Sequence, residues 1–257
     1  MFHIFGYMNS YHSTEHLSMS TILVWDIPNR MFHWLFTISI TVALGIAFLV
    51  DDEQALFQVH MLAGIIAVFL VVLRLIMGVI GSRYSRFSSF PLHPRDVVRY
   101  FVNAFTSKTT LYVGNNPGSA LAAILMFIFA VALFITGSSV IGEAGEEVHE
   151  VLAFAMLAVV ILHLAGIVWH TIRHREPISK VMVTGTKAGK PEDAAGSAHA
   201  FCGVVFLILS GLWIAMVFIG FNPDTRSLRV PLVGVSMQLG ENESESGAQQ
   251  YGEEQDD

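Results

Sequence analysis

Five long apolar runs decide what this chain can become. Met31–Val50, Val59–Ile80, Gly118–Ile141, Val148–Trp169 and Ala198–Phe221 are each long and apolar enough to be membrane helices, which need ~20 such residues. Turn and charge signals close each run: Asp51-Asp52, Gly81-Ser82, Asn115-Asn116-Pro117, Gly142 to Gly145, Arg173 to Pro177 and Asn222-Pro223. Only 14% of the 257 residues are charged, against about 25% in a soluble domain. The chain is therefore read as an all-α integral membrane protein. No feature points to nucleic acid as a partner.

The basic residues are one-sided. Arg83, Arg86, Arg95, Arg99 and Lys108 lie between runs two and three; Arg173, Arg175, Lys180, Lys187 and Lys190 lie between runs four and five. Arg30 precedes run one. The loops after runs one and three carry Asp51, Asp52, Glu53, Glu143, Glu146 and Glu147, and no Lys or Arg. Basic loops stay in the cytoplasm. The N-terminus is thus expected inside and the C-terminus outside, in a multi-pass protein of a bacterial inner membrane.

Outside the runs, residues 1–24 read as a polar arm holding His3, His12 and His16. They lack the basic-then-apolar order of a signal peptide. Residues 191–221 carry the fifth span. Residues 222–257 read as an acidic, largely disordered tail. The single cysteine, Cys202, allows no disulfide within one chain, and Cys-x-x-Cys-His is absent. A haem, if present, is bound without covalent attachment.

A histidine at membrane depth is costly and is a functional candidate. His33 opens span one, His60 opens span two, and His149 and His163 both lie on span four. Fourteen residues make nearly four full turns, so the last two share a face ~21 Å apart along the axis. With alternating spans, His33 matches His163 in depth on the cytoplasmic side. His60 matches His149 on the periplasmic side. Two histidine pairs at two levels suit two bis-histidine haems. Taken singly, each histidine reads equally well as an interfacial helix-end residue. Two metal-ion sites would each be short of ligands. His170, seven residues after His163 on a similar face, is the rival for the fourth position. His174, His93 and His199 read as interfacial or loop residues.

Several stretches, in order, resemble the bacterial cytochrome b561 family, which includes the cytochrome b subunits of nickel-iron hydrogenases and formate dehydrogenase gamma subunits. They are Val24-Trp-Asp-Ile-Pro-Asn-Arg-Met-Phe-His33-Trp, Val59-His60-Met-Leu-Ala-Gly64, Leu73-Arg74-Leu-Ile-Met-Gly78 and Gly81-Ser-Arg-Tyr-Ser-Arg-Phe87. Gly114-Asn-Asn-Pro-Gly118, Glu147-Val-His149-Glu, Leu162-His163 and Val181-Met-Val-Thr-Gly-Thr-Lys187 complete the series. The resemblance implies a four-helix haem-binding bundle over 25–190, with His33, His60, His149 and His163 as ligands of two haems b. It also implies a quinone site near the cytoplasmic haem. Asn115 stands where many relatives have histidine, and the fifth span is an addition to the four-helix core.

Haem propionates need basic partners. Arg74, fourteen residues after His60, reaches the cytoplasmic level; Arg30 and Arg83 are the other candidates, although both also read as positive-inside anchors. Gly45, Gly64, Gly78 and Gly166 read as sites of close helix approach or of contact with a flat macrocycle. Asn115 and Asn116 are candidates for a quinone carbonyl or simply for turn chemistry.

The leading expectation is a dihaem relay, with no catalytic residue of its own. It would pass electrons between the quinone pool and a periplasmic redox protein, such as a c-type cytochrome or a hydrogenase or dehydrogenase subunit. The alternatives are a quinone-reducing superoxide oxidase, which the acidic outer loops disfavour, and a membrane anchor or transporter without haem.

Overall fold

The computed structural model describes residues 20–51, 54–104, 106, 111–138, 143–230, 234 and 236–238. His3, His12, His16, Lys108 and most of the acidic tail lie outside the described residues. Among the described residues, five helices are long and apolar enough to cross a membrane. In lipid a helix satisfies its own backbone, which is why these runs fold this way.

The chain opens on β1 (Ser20–Leu23), and α1 (Ile27–Leu49) follows. The helix starts earlier than the apolar run. Asp26 caps it, accepting from the Asn29 amide at 2.9 Å, and a proline sits in the first turn. Helix α2 (Phe57–Ile80) returns. The basic stretch after it is not a plain loop. It forms a short 3-10 turn (Phe87–Ser89) and then an amphipathic helix, α3 (Pro94–Ala104).

Helix α4 (Pro117–Thr136) starts on the Asn116 side chain, which accepts from the Ser119 amide at 2.8 Å. It stops at Gly137, short of the apolar run's end. Helix α5 (Glu143–His174) outruns its apolar core at both ends. After it come α6 (Ile178–Thr184), β2 (Thr186–Gly189) and α7 (Ala200–Gly220).

Two tertiary pairings correct the expected polar ends. Strand β1 pairs antiparallel with β2, Ser20 opposite Gly189, and Ile22, Val24 and Trp25 bury against Val181. The end of the N-terminal arm is therefore ordered by a segment distant in the chain. The start of the tail is ordered too. Strands β3 (Phe221–Asn222), β4 (Ser227–Arg229) and β5 (Ser236–Gln238) form a small antiparallel sheet. The Asn222 side chain turns the chain by accepting from the amides of Asp224 and Thr225. Leu228 anchors the sheet, fully buried against Leu62, Ile65 and Val217.

Helix α1 packs on α2, α2 bridges to α4, and α7 packs on α1 and α2. Helix α5 packs closely on α4. A central cluster of Phe32, Phe36, Ile40, Leu70, Val71, Phe127, Met156 and Phe206 joins them. Outward residues such as Ile80, Ile172 and Ile219 are exposed and apolar, as a lipid-facing surface requires.

Candidate functional site

The end of the bundle holding the start of α2 and of α5 is termed the acidic end, and the opposite one the basic end. At the acidic end α2 supplies His60 and α5 supplies His149. Their ring centroids lie 6.0 Å apart at 72°. His60 Nδ1 is 2.8 Å from the Ala43 carbonyl of α1. His149 Nδ1 is 3.0 Å from the Leu133 carbonyl of α4, with Thr136 Oγ1 at 3.2 Å. A carbonyl can only accept, so the proton in each ring sits on Nδ1. Each Nε2 then keeps its lone pair, the tautomer that a metal-binding imidazole needs. Phe57 stacks on His60 at 5.0 Å.

Gly137 permits this geometry. A Cβ at that position would stand 2.8 Å from His149 Cε1. Gly137, Thr136 and the two carbonyls that orient the rings escaped sequence reasoning. Only the glycine at the end of an apolar run left a signal.

At the basic end, α1 supplies His33 and α5 supplies His163. His33 Nδ1 is buried and has no hydrogen-bond partner. Met156 lies midway between His149 and His163, seven residues from each, and is fully buried. Its position on the histidine face was readable from spacing.

Helix α5 carries both His149 and His163 yet packs closely on α4, not on α1 or α2. Side chains bridge the interval, as Phe48 and Phe154 do at 5.2 Å between centroids. A Cβ built on Gly45, Gly64 or Gly166 meets nothing within 4 Å, so helix packing does not account for these three glycines. Gly78 is different, because Phe87 fills its space.

Arg74 is 97% buried, the only described arginine so deeply enclosed. Phe87 lies 5.0 Å from its guanidinium carbon, and Phe32, Phe90 and Phe127 lie at 5.8, 5.8 and 5.9 Å. Phe32 adjoins His33, so Arg74 stands at the basic-end histidine level. Asp26, also buried, caps α1 at the same end. Arg74 Nη1 has no hydrogen-bond partner. A buried guanidinium with spare donors suits an anion.

The other candidates have protein partners. Arg30 donates to the carbonyls of Met182 and Val183 and so closes the end of α6. Arg83 is exposed, donates to the Glu192 carbonyl at 2.9 Å and faces Asp193 at 3.8 Å. Asn115 is half-buried before α4, beside the capping Asn116. His170 stacks on His174 at 4.4 Å and lies 3.4 Å from Glu176. Burial opposes charge on Glu176. Lys187 at 3.0 Å and His170 still hold its carboxyl below the usual range.

Among the described residues no three His, Cys, Asp or Glu side chains cluster as an ion site. A haem brings its own four equatorial nitrogens and asks the protein for two axial ones. Paired imidazoles, the unpartnered Arg74 Nη1 and the unfilled space at three glycines fit that group. No curated protein and no solved structure matches the chain. A family model described as prokaryotic cytochrome b561 matches residues 24–185.

Proposed function

The chain belongs to the prokaryotic cytochrome b561 family, whose members are b-type haem proteins of membrane electron transfer, and from that premise we propose that it is a dihaem relay. His60 and His149 hold one haem at the acidic end. His33 and His163 hold the other at the basic end. Held by these imidazoles, haem would supply one-electron transfer across the bilayer.

The observation that carries this reading is the matched orientation of His60 and His149. Both spend Nδ1 on a main-chain carbonyl and leave Nε2 for a ligand. The protein residues have distinct tasks. Ala43 and Leu133 fix ring orientation. Arg74 holds a propionate, with Arg30 and Arg83 nearer the surface. His170 is occupied with Glu176, which favours His163 as the fourth ligand.

The basic end faces the cytoplasm, and quinone exchanges there, with Asn115 as a candidate hydrogen-bond donor. The acidic end faces the periplasm and meets a basic redox protein, such as a c-type cytochrome or a hydrogenase or dehydrogenase subunit. The protein resides in a bacterial inner membrane. A reduced-minus-oxidised spectrum with a haem-to-chain ratio tests the central point. Two b haems per chain are expected; none overturns the proposal. His163→Ala is expected to remove one haem. If His170→Ala removes it instead, the fourth ligand is reassigned.

A further inference from the structure

At the basic end a cleft opens between α3 and the last turns of α5. Arg99 and Tyr100 line it from α3, Tyr112 from the approach to α4, and His170, Arg173 and His174 from α5. Its two guanidinium groups belong to different elements and stand at one opening. Arg99 pairs with Asp96 one turn away on α3 at 2.8 Å, but its side chain is 71% exposed. Such a pair is weak. Arg173 uses one nitrogen on the Thr106 carbonyl at 3.1 Å. Each guanidinium carries five N–H donors, so donors remain on both.

Helix α3 gives the cleft its setting. It joins the basic ends of α2 and α4, at the level where those helices leave the apolar layer. Tyr100 turns inward, its ring edge 2.9 Å from where a Cβ of Gly118 would stand. Val98, Phe101 and Val102, at i, i+3 and i+4, form a stripe on another face and are 63%, 46% and 57% exposed. An amphipathic helix with an apolar stripe and flanking arginines lies in a membrane interface. Arg99 and Asn103 sit between the stripe and the inward face, so the cleft opens beside the acyl region.

We propose that this cleft binds the phosphate of an anionic phospholipid, with the lipid's chains along Val98, Phe101 and Val102. A neutral ring compound would not call for two arginines lining one cleft, whereas a phosphodiester accepts from both. The cleft also holds His170, the rival for the fourth haem ligand, and Asn116, so haem content is read alongside lipid retention.

The test uses purified full-length protein. Native mass spectrometry and thermal unfolding are run in detergent with added phosphatidylglycerol, phosphatidylcholine or inorganic phosphate. Wild type is expected to retain phosphatidylglycerol and to unfold at higher temperature with it than with phosphatidylcholine. Arg99→Gln and Arg173→Gln should each weaken phosphatidylglycerol retention roughly fivefold, leaving the haem-to-chain ratio unchanged. If Arg173→Gln fails to fold, the exposed Arg99 decides. Three outcomes overturn the proposal: equal effects of the two lipids, equal effects of inorganic phosphate and phosphatidylglycerol, or displacement of the lipid by a soluble quinone analogue.

Discussion

A histidine binds iron only through a nitrogen that keeps its lone pair, and at the acidic end two main-chain carbonyls arrange this. The arrangement is tight on one side, where Gly137 leaves no room for a Cβ beside His149. On the proposed dihaem reading, Gly137→Ala is therefore expected to lower haem content from two per chain toward one, read by haem-to-chain ratio, with the basic-end haem retained. At the other end of α1, Asp26 has two tasks. It caps the helix and accepts from Ser85 Oγ at 3.1 Å. Asn is a good N-cap, and Ala is not. Asp26→Ala should cost about 1 kcal/mol more than Asp26→Asn in thermal unfolding. Equal losses would mean that the cap contributes nothing.

Among the elements, α5 shows how spacing becomes architecture. Residues 149, 156, 163 and 170 recur every seven and share a face. The structure gives them different surroundings: His149 against the Leu133 carbonyl of α4, Met156 in the core, His163 toward the basic end, and His170 on Glu176. The α5–α6 joint depends on Glu176. Its pKa is depressed in the folded state, so the stability it adds is present above its unfolded pKa. That contribution is lost as pH falls through the depressed folded value. Hydrogen exchange over residues 176–189 should accelerate on acidification below the carboxylate range, and Glu176→Gln should flatten the response. Gly185 closes α6 in the left-handed region, φ 81°, with the Trp25 carbonyl 2.7 Å from where a Cβ would stand. Gly185→Ala should loosen the same segment at every pH, because it strains both φ and the contact.

At the scale of the whole molecule, the proposed topology, with five candidate spans among the described residues, puts the two ends of the chain on opposite sides. Reporters fused to each terminus should light up on different faces, the C-terminal one outside. Signal from both on one face would remove the proposed topology. The five candidate spans and the charge asymmetry were legible in sequence, because each is a property of one run of residues in lipid. A helix in a bilayer must satisfy its own backbone, and 1.5 Å per residue converts spacing into depth. The tertiary structure alone decided what the histidines meet. The Ala43 and Leu133 carbonyls, the phenylalanine cage of Arg74, the β1–β2 pairing and the Leu228 anchor all join residues far apart in the chain. No local pattern encodes which distant group a side chain will face. That is why four histidines could be counted from sequence, while ring orientation and the standing-off of α5 from α1 and α2 emerged only from the packed bundle.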